Sequence, residues 1–182
     1  NPLDIMTYLA YKVSGFDSRS VFGMAGVLDT ARFKYFIAEK LGVLPLEVET
    51  MVLGGHGDSM VPLVEYTKVS GRPVSELISD GELKDIIQRT RDGGAEIVSL
   101  LKTGSAFYAP SSAVCEMLEA VIKDKNEVLP ASVYLDGQYG IKDLYCGVPA
   151  RIGEDGVEEI IELKLSDKEL AALRWSAEQV KE

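Results

Sequence analysis

The sequence predicts an α+β domain in which antiparallel strands pack against long helices. Three observations carry that prediction. Strand-like stretches gather near 46–69 and 128–165 rather than alternating with helices. Apolar residues recur at helical spacing elsewhere, as in Leu3, Met6, Leu9, Ala10 and Val13. No G-x-G-x-x-G turn follows a strand, and the βαβαβ order of a dinucleotide-binding sheet is missing.

Asn1-Pro2 reads as a helix start, with Asn as the cap and Pro at the first helical position. Gly15 ends that helix. Val21 to Gly26 is small and reads as flexible. A second helix is expected from Leu28 to Leu41, stopped by Gly42. Leu46 to Leu53 and Met60 to Val69 read as strands on either side of Gly54-Gly55-His56-Gly57-Asp58, with a turn at Gly71-Arg72-Pro73. Ser79-Asp80-Gly81 introduces a long helix from Glu82 to Lys102, and Pro110-Ser111 restarts one that runs to Lys123. Val128 to Leu135, Leu144 to Ile152 and Val157 to Leu165 are strand-like. Ser166 and Glu169 form a capping box for a final helix carrying Leu170, Leu173 and Trp175. No repeat or linker divides the chain, so residues 1–182 are expected to form one domain.

With 182 residues, the chain is long enough for an apolar core. Its 46% hydrophobic and 26% charged residues match an ordinary soluble protein. No apolar run reaches the roughly 18 residues of a membrane helix. The chain opens with neither a signal peptide nor Met, which points to a processed or truncated product. A net charge of −10 without a basic stripe argues against nucleic acid and anionic membranes as partners. Cys115 and Cys146 form no CxxC pair, and with one histidine they argue against a zinc site. The expected setting is a reducing cytoplasm.

The chemistry concentrates in two places. His56 stands among three glycines in a loop between strands, where a ligand could approach the backbone. Asp29 and Arg32 lie three apart on a helix and share a face. They could form a plain surface ion pair. They could also serve separate targets, with Asp29 supporting an imidazolium and Arg32 forking onto a carboxylate. Spacing alone leaves both open.

Four motifs then decide the matter: Asn1-Pro2-Leu3-Asp4-Ile5-Met6-Thr7-Tyr8; Met24-Ala25-Gly26-Val27-Leu28-Asp29-Thr30-Ala31-Arg32-Phe33; Gly54-Gly55-His56-Gly57-Asp58-Ser59-Met60-Val61-Pro62-Leu63; and Lys102-Thr103-Gly104-Ser105-Ala106-Phe107-Tyr108-Ala109-Pro110. In order and spacing the chain resembles the C-terminal, substrate-binding domain of the lactate/malate dehydrogenase family. The resemblance covers essentially the whole chain. It implies an NAD-dependent 2-hydroxy acid dehydrogenase and a homo-oligomer, dimer or tetramer. The glycine-rich fingerprint and the mobile arginine loop of the family are absent. The resemblance implies that both belong to a nucleotide-binding half preceding Asn1, and the isolated chain is expected to be inactive.

The roles it implies are specific. His56 takes and returns the hydroxyl proton, with Asp29 as its partner. Arg32 binds the substrate carboxylate. Asn1 touches the reacting oxygen and the nicotinamide, and Ser105 lies beside the substrate. Met24-Ala25-Gly26 and Gly57-Asp58-Ser59-Met60-Val61-Pro62 are more similar to the malate than to the lactate members. The expected reaction is therefore (S)-malate to oxaloacetate, a step of the tricarboxylic acid cycle. The alternatives are lactate oxidation and a non-catalytic oligomerisation module. Tyr8, Tyr11 and the first helix read equally as core or as interface.

Overall fold

The computed structural model describes residues 2–181. Helix α1 (Leu3–Ser14) begins after Pro2, which is itself extended, and ends where Gly15 turns left-handed at φ 73°. Asn1 lies outside the described residues, so its expected capping role does too. On α1 the polar Asp4 and Thr7 are buried, while Ile5, Met6, Leu9 and Val13 are between 41% and 74% exposed. The apolar stripe is therefore not core within this chain. The segment from Val21 to Gly26, expected to be flexible, is pinned by paired backbone bonds between Gly23 and Ser132, at 2.8 and 3.0 Å.

Helix α2 (Gly26–Leu41) starts two residues before the expected Leu28. At its start Gly26 lies so close to Pro130 that a Cβ would stand 2.7 Å from it. Gly42 closes the helix at φ 69°, as expected.

The next stretch departs from the sequence reading. A 3-10 turn (Pro45–Glu47) precedes β1 (Val48–Glu49) and β2 (Val52–Leu53), followed by β3 (Val61–Pro62), β4 (Lys68–Val69) and β5 (Arg72–Pro73). Each expected long strand is thus split in two. The chain changes partner midway: β1 pairs with β4 and β2 with β3. At the break, the buried hydroxyls of Thr50 and Thr67 meet at 2.6 Å.

Helix α3 (Asp80–Leu101) opens on the capping box of Ser79 and Glu82. Helix α4 (Tyr108–Ile122) starts two residues before Pro110. Strands β6 (Glu127–Asp136), β7 (Lys142–Gly153) and β8 (Gly156–Ile160) form one antiparallel sheet. Its longest pairing runs from Glu127 opposite Ile152 to Asp136 opposite Lys142. The third strand stops at Ile160, short of the expected Leu165. Helix α5 (Asp167–Lys181) closes the fold. Its capping box is only half made. The Glu169 N–H donates to Ser166 Oγ at 3.3 Å, but the Glu169 carboxylate takes the backbone N–H of Glu65 at 3.1 Å.

Two apolar clusters hold these elements. One surrounds β6 and β7, with Val133, Leu135, Val148 and Ile152 covered by Met117 of α4 and Leu173 of α5. The other joins Phe33, Phe36 and Ile37 of α2 to Val48, Met60, Val69 and Ile86. Full burial of such a side chain contributes about 1.5–3 kcal/mol. Helix α2 supplies both clusters, Val27 and Leu28 to the first and Phe33 onward to the second. Its N-terminal turns are therefore held from two sides, and Asp29 and Arg32 stand there. Among the described residues no helix is long and apolar enough to cross a membrane.

Candidate active site

Asp29 is 2% exposed, on the buried face of α2. One of its carboxylate oxygens lies 2.7 Å from His56 Nδ1 and the other 3.5 Å from Arg32 Nη1. The three residues that the sequence singled out therefore meet. Their side chains are 2%, 26% and 13% exposed for Asp29, His56 and Arg32, a gradient from a sealed carboxylate to an accessible imidazole. The carboxylate raises the His56 pKa above its ordinary value, chiefly through this hydrogen bond and against the opposing effect of burial. With Nδ1 committed to Asp29, Nε2 is the nitrogen left for exchange with a bound molecule.

Arg32 makes one weak contact with Asp29, and among the described residues that is its only hydrogen bond. A guanidinium carries five N–H donors in a planar fork. Most of that fork is thus available to an anion.

The histidine loop is anchored on every side. Thr30 Oγ1 of α2 accepts from the Val52 N–H at 2.9 Å, fixing the strand that enters the loop. Gly54 exchanges backbone hydrogen bonds with Gly147 of β7 at 2.8 and 3.1 Å. The Gly55 N–H donates to Ser176 Oγ of α5 at 2.9 Å. The His56 N–H donates to Asp4 Oδ2 of α1 at 2.9 Å, and the other Asp4 oxygen accepts from Ser132 Oγ of β6 at 2.6 Å. Asp4 is 4% exposed, and burial pushes its pKa up against those two bonds. Its charge also favours a protonated His56.

The loop glycines serve a different end from the one the sequence suggested. A Cβ on Gly54 would stand 2.5 Å from Ser176 Oγ, and one on Gly55 would stand 2.7 Å from Val180. Both admit protein rather than ligand. Gly57 alone faces open space, at φ +114°.

Asp4 and Ser132 went unnoticed as contributors. Periodicity placed Asp4 off the apolar stripe, where a carboxylate reads as solvated, and only its place beside Asn1-Pro2-Leu3 marked it. Ser105 lies exposed between α3 and α4, with no hydrogen bond to Asp29, Arg32 or His56 among the described residues. Asn1 is outside them. Every strand pairing among the described residues is antiparallel. The parallel-strand turn that presents a helix N-terminus to a dinucleotide pyrophosphate is not found there, so these residues do not fit that part of NAD.

A buried carboxylate behind a histidine, beside an arginine with donors to spare, is an arrangement that can exchange a proton at Nε2 and hold an anion. The family model for the lactate/malate dehydrogenase alpha/beta C-terminal domain matches residues 26–182. The chain belongs to that family. A curated malate dehydrogenase of Methanosarcina mazei is 58% identical, over 100% of this chain and 59% of its own length. The solved malate dehydrogenase from Salinibacter ruber superposes with a TM-score of 0.96 at 52% identity, over 100% of this chain and 59% of that one. The lactate dehydrogenase from Cryptosporidium parvum reaches 0.94 at 44% identity, over 100% and 62%. The chain thus spans about three fifths of the length of the proteins it matches.

Proposed function

We propose that the whole protein is an NAD-dependent malate dehydrogenase that oxidises (S)-malate to oxaloacetate reversibly, and that this chain is its catalytic domain, folded as one unit. The observation that carries the reading is the 2.7 Å contact between His56 and Asp29 with Arg32 beside it. Neutral His56 accepts the hydroxyl proton at Nε2, and Asp29 stabilises the imidazolium that results. In reverse, that imidazolium donates the proton to the ketone oxygen and polarises it. Arg32 holds the substrate carboxylate through its planar fork. We assign Asn1 to the reacting oxygen and the nicotinamide, and Ser105 to the rim beside the substrate, on family resemblance.

NAD supplies hydride acceptance, and on family resemblance its binding is assigned mainly to a nucleotide-binding domain, with Asn1 at the nicotinamide. The proposed setting is the cytoplasm, in keeping with two free cysteines, Cys115 exposed and Cys146 buried. The proposed assembly is a homo-oligomer, supported by the exposed apolar stripe of α1.

Lactate oxidation is the competing reading, because the lactate dehydrogenase from Cryptosporidium parvum shares this fold. Steady-state kinetics of the whole protein decide between them. Oxaloacetate should be reduced faster than pyruvate, and the opposite order would reassign the substrate.

A further inference from the structure

Gly93 lies in the middle of α3, buried, where that helix passes α2. Its backbone is ordinary helix, since it is not among the residues with positive φ. Glycine is therefore not required there by conformation, and alanine would favour the helix more. The space around it supplies the missing reason. A Cβ on Gly93 would stand 3.1 Å from Arg32 Cδ, 3.3 Å from Nε and 3.7 Å from Cζ. The stem and guanidinium of Arg32 rest on the α3 backbone at that point. The next residue, Gly94, is also helical, but a Cβ there would meet nothing within 4 Å.

We propose that Gly93 is a positioning residue for substrate binding: the missing side chain lets Arg32 lie flat against α3, with its fork aimed for a carboxylate. The inference rests on the proposed role of Arg32. A methyl group at 93 has only the Arg32 side chain to displace, by a few tenths of an ångström. His56 is held by one Asp29 oxygen, at 2.7 Å, while Arg32 contacts the other, and the three atoms nearest the new Cβ all belong to Arg32. The effect should therefore fall on substrate binding and leave proton transfer alone.

The test compares Gly93→Ala, Gly94→Ala and Arg32→Lys in the whole protein. Both alanine variants gain the same helix propensity, so they differ only in what the methyl touches. Gly93→Ala should raise the oxaloacetate KM on the order of tenfold, below the ~100-fold that a 1 Å misplacement can cost. Its kcat pH profile, NADH Kd and melting temperature should stay at or near the Gly94→Ala values. A Gly93→Ala KM equal to that of Gly94→Ala, beside a raised KM in Arg32→Lys, would overturn the role of Gly93 alone. An unchanged KM in Arg32→Lys would overturn the anchor role of Arg32 and this inference with it. A raised KM accompanied by a shifted pH profile or weaker NADH binding would show general disruption and also count against it.

Discussion

The corner around His56 and the outer face of α1 treat polarity in opposite ways. At the corner, two carboxylates are buried, Asp29 at 2% and Asp4 at 4% exposure, and each is hydrogen-bonded from two elements. Nine residues beyond Asp4 along α1, Val13 is apolar and 74% exposed. Burying a charge is costly unless it is paired, and leaving an apolar side chain in water forgoes its transfer energy. Each buried carboxylate at the corner therefore has its donors within this chain. The face of α1 carries no such requirement and contributes little to the fold of this chain. The contrast teaches where substitutions should hurt.

The largest effect should come from His56→Asn, which keeps a hydrogen-bonding group but no titratable base. Turnover of the whole protein should fall by about 10²–10⁴-fold, while NADH binding measured by calorimetry stays intact. Near-normal turnover at neutral pH would remove His56 from the mechanism.

Asp29→Asn keeps the shape and removes the charge, and its rate loss should lie toward the lower end of that range. The pH profile is the sharper measurement. Asp29 raises the His56 pKa, so neutral His56, which the proposed malate oxidation requires, appears only at higher pH. In Asp29→Asn that limb should move to lower pH, and an unmoved limb would mean the pair is uncoupled. The same coupling sets a sign for stability. His56 titrates above its unfolded value of about 6.5, so the pair's contribution is full below that pH. It is lost as pH rises through the folded pKa, and Asp29→Asn should flatten that dependence in urea unfolding.

Asp4→Ala should act mainly on stability. It leaves the His56 N–H and the Ser132 hydroxyl without their acceptor, at about 1–3 kcal/mol for each buried group left unsatisfied. Chemical unfolding should register the loss, and an unchanged midpoint would show that the anchor is dispensable. Val13→Ser, on the α1 face, should change the unfolding free energy of this chain by under about 0.5 kcal/mol. Sedimentation of the whole protein completes the comparison. A shift toward smaller species would sharpen the assignment of α1 to an interface, and an unshifted profile would weaken it.

Local rules made a large part of this molecule legible. The helix stops at Gly15 and Gly42, the helix start at Ser79-Asp80-Gly81 and the three-residue spacing of Asp29 and Arg32 all follow from interactions within a turn or two of chain. Those interactions exist whatever the rest of the chain does, so the sequence determines them unaided. Tertiary structure alone decided the rest. It split the strands around Thr50 because the register between the two stretches shifts, from Val48 opposite Val69 to Val52 opposite Pro62. It turned the polar side of α1 inward because Ser132 and the His56 N–H await a carboxylate there. It also set Gly93 against Arg32. Such contacts form only after α1, α2, α3 and β6 have docked, and periodicity along the chain carries no record of which distant residue will fill a given space.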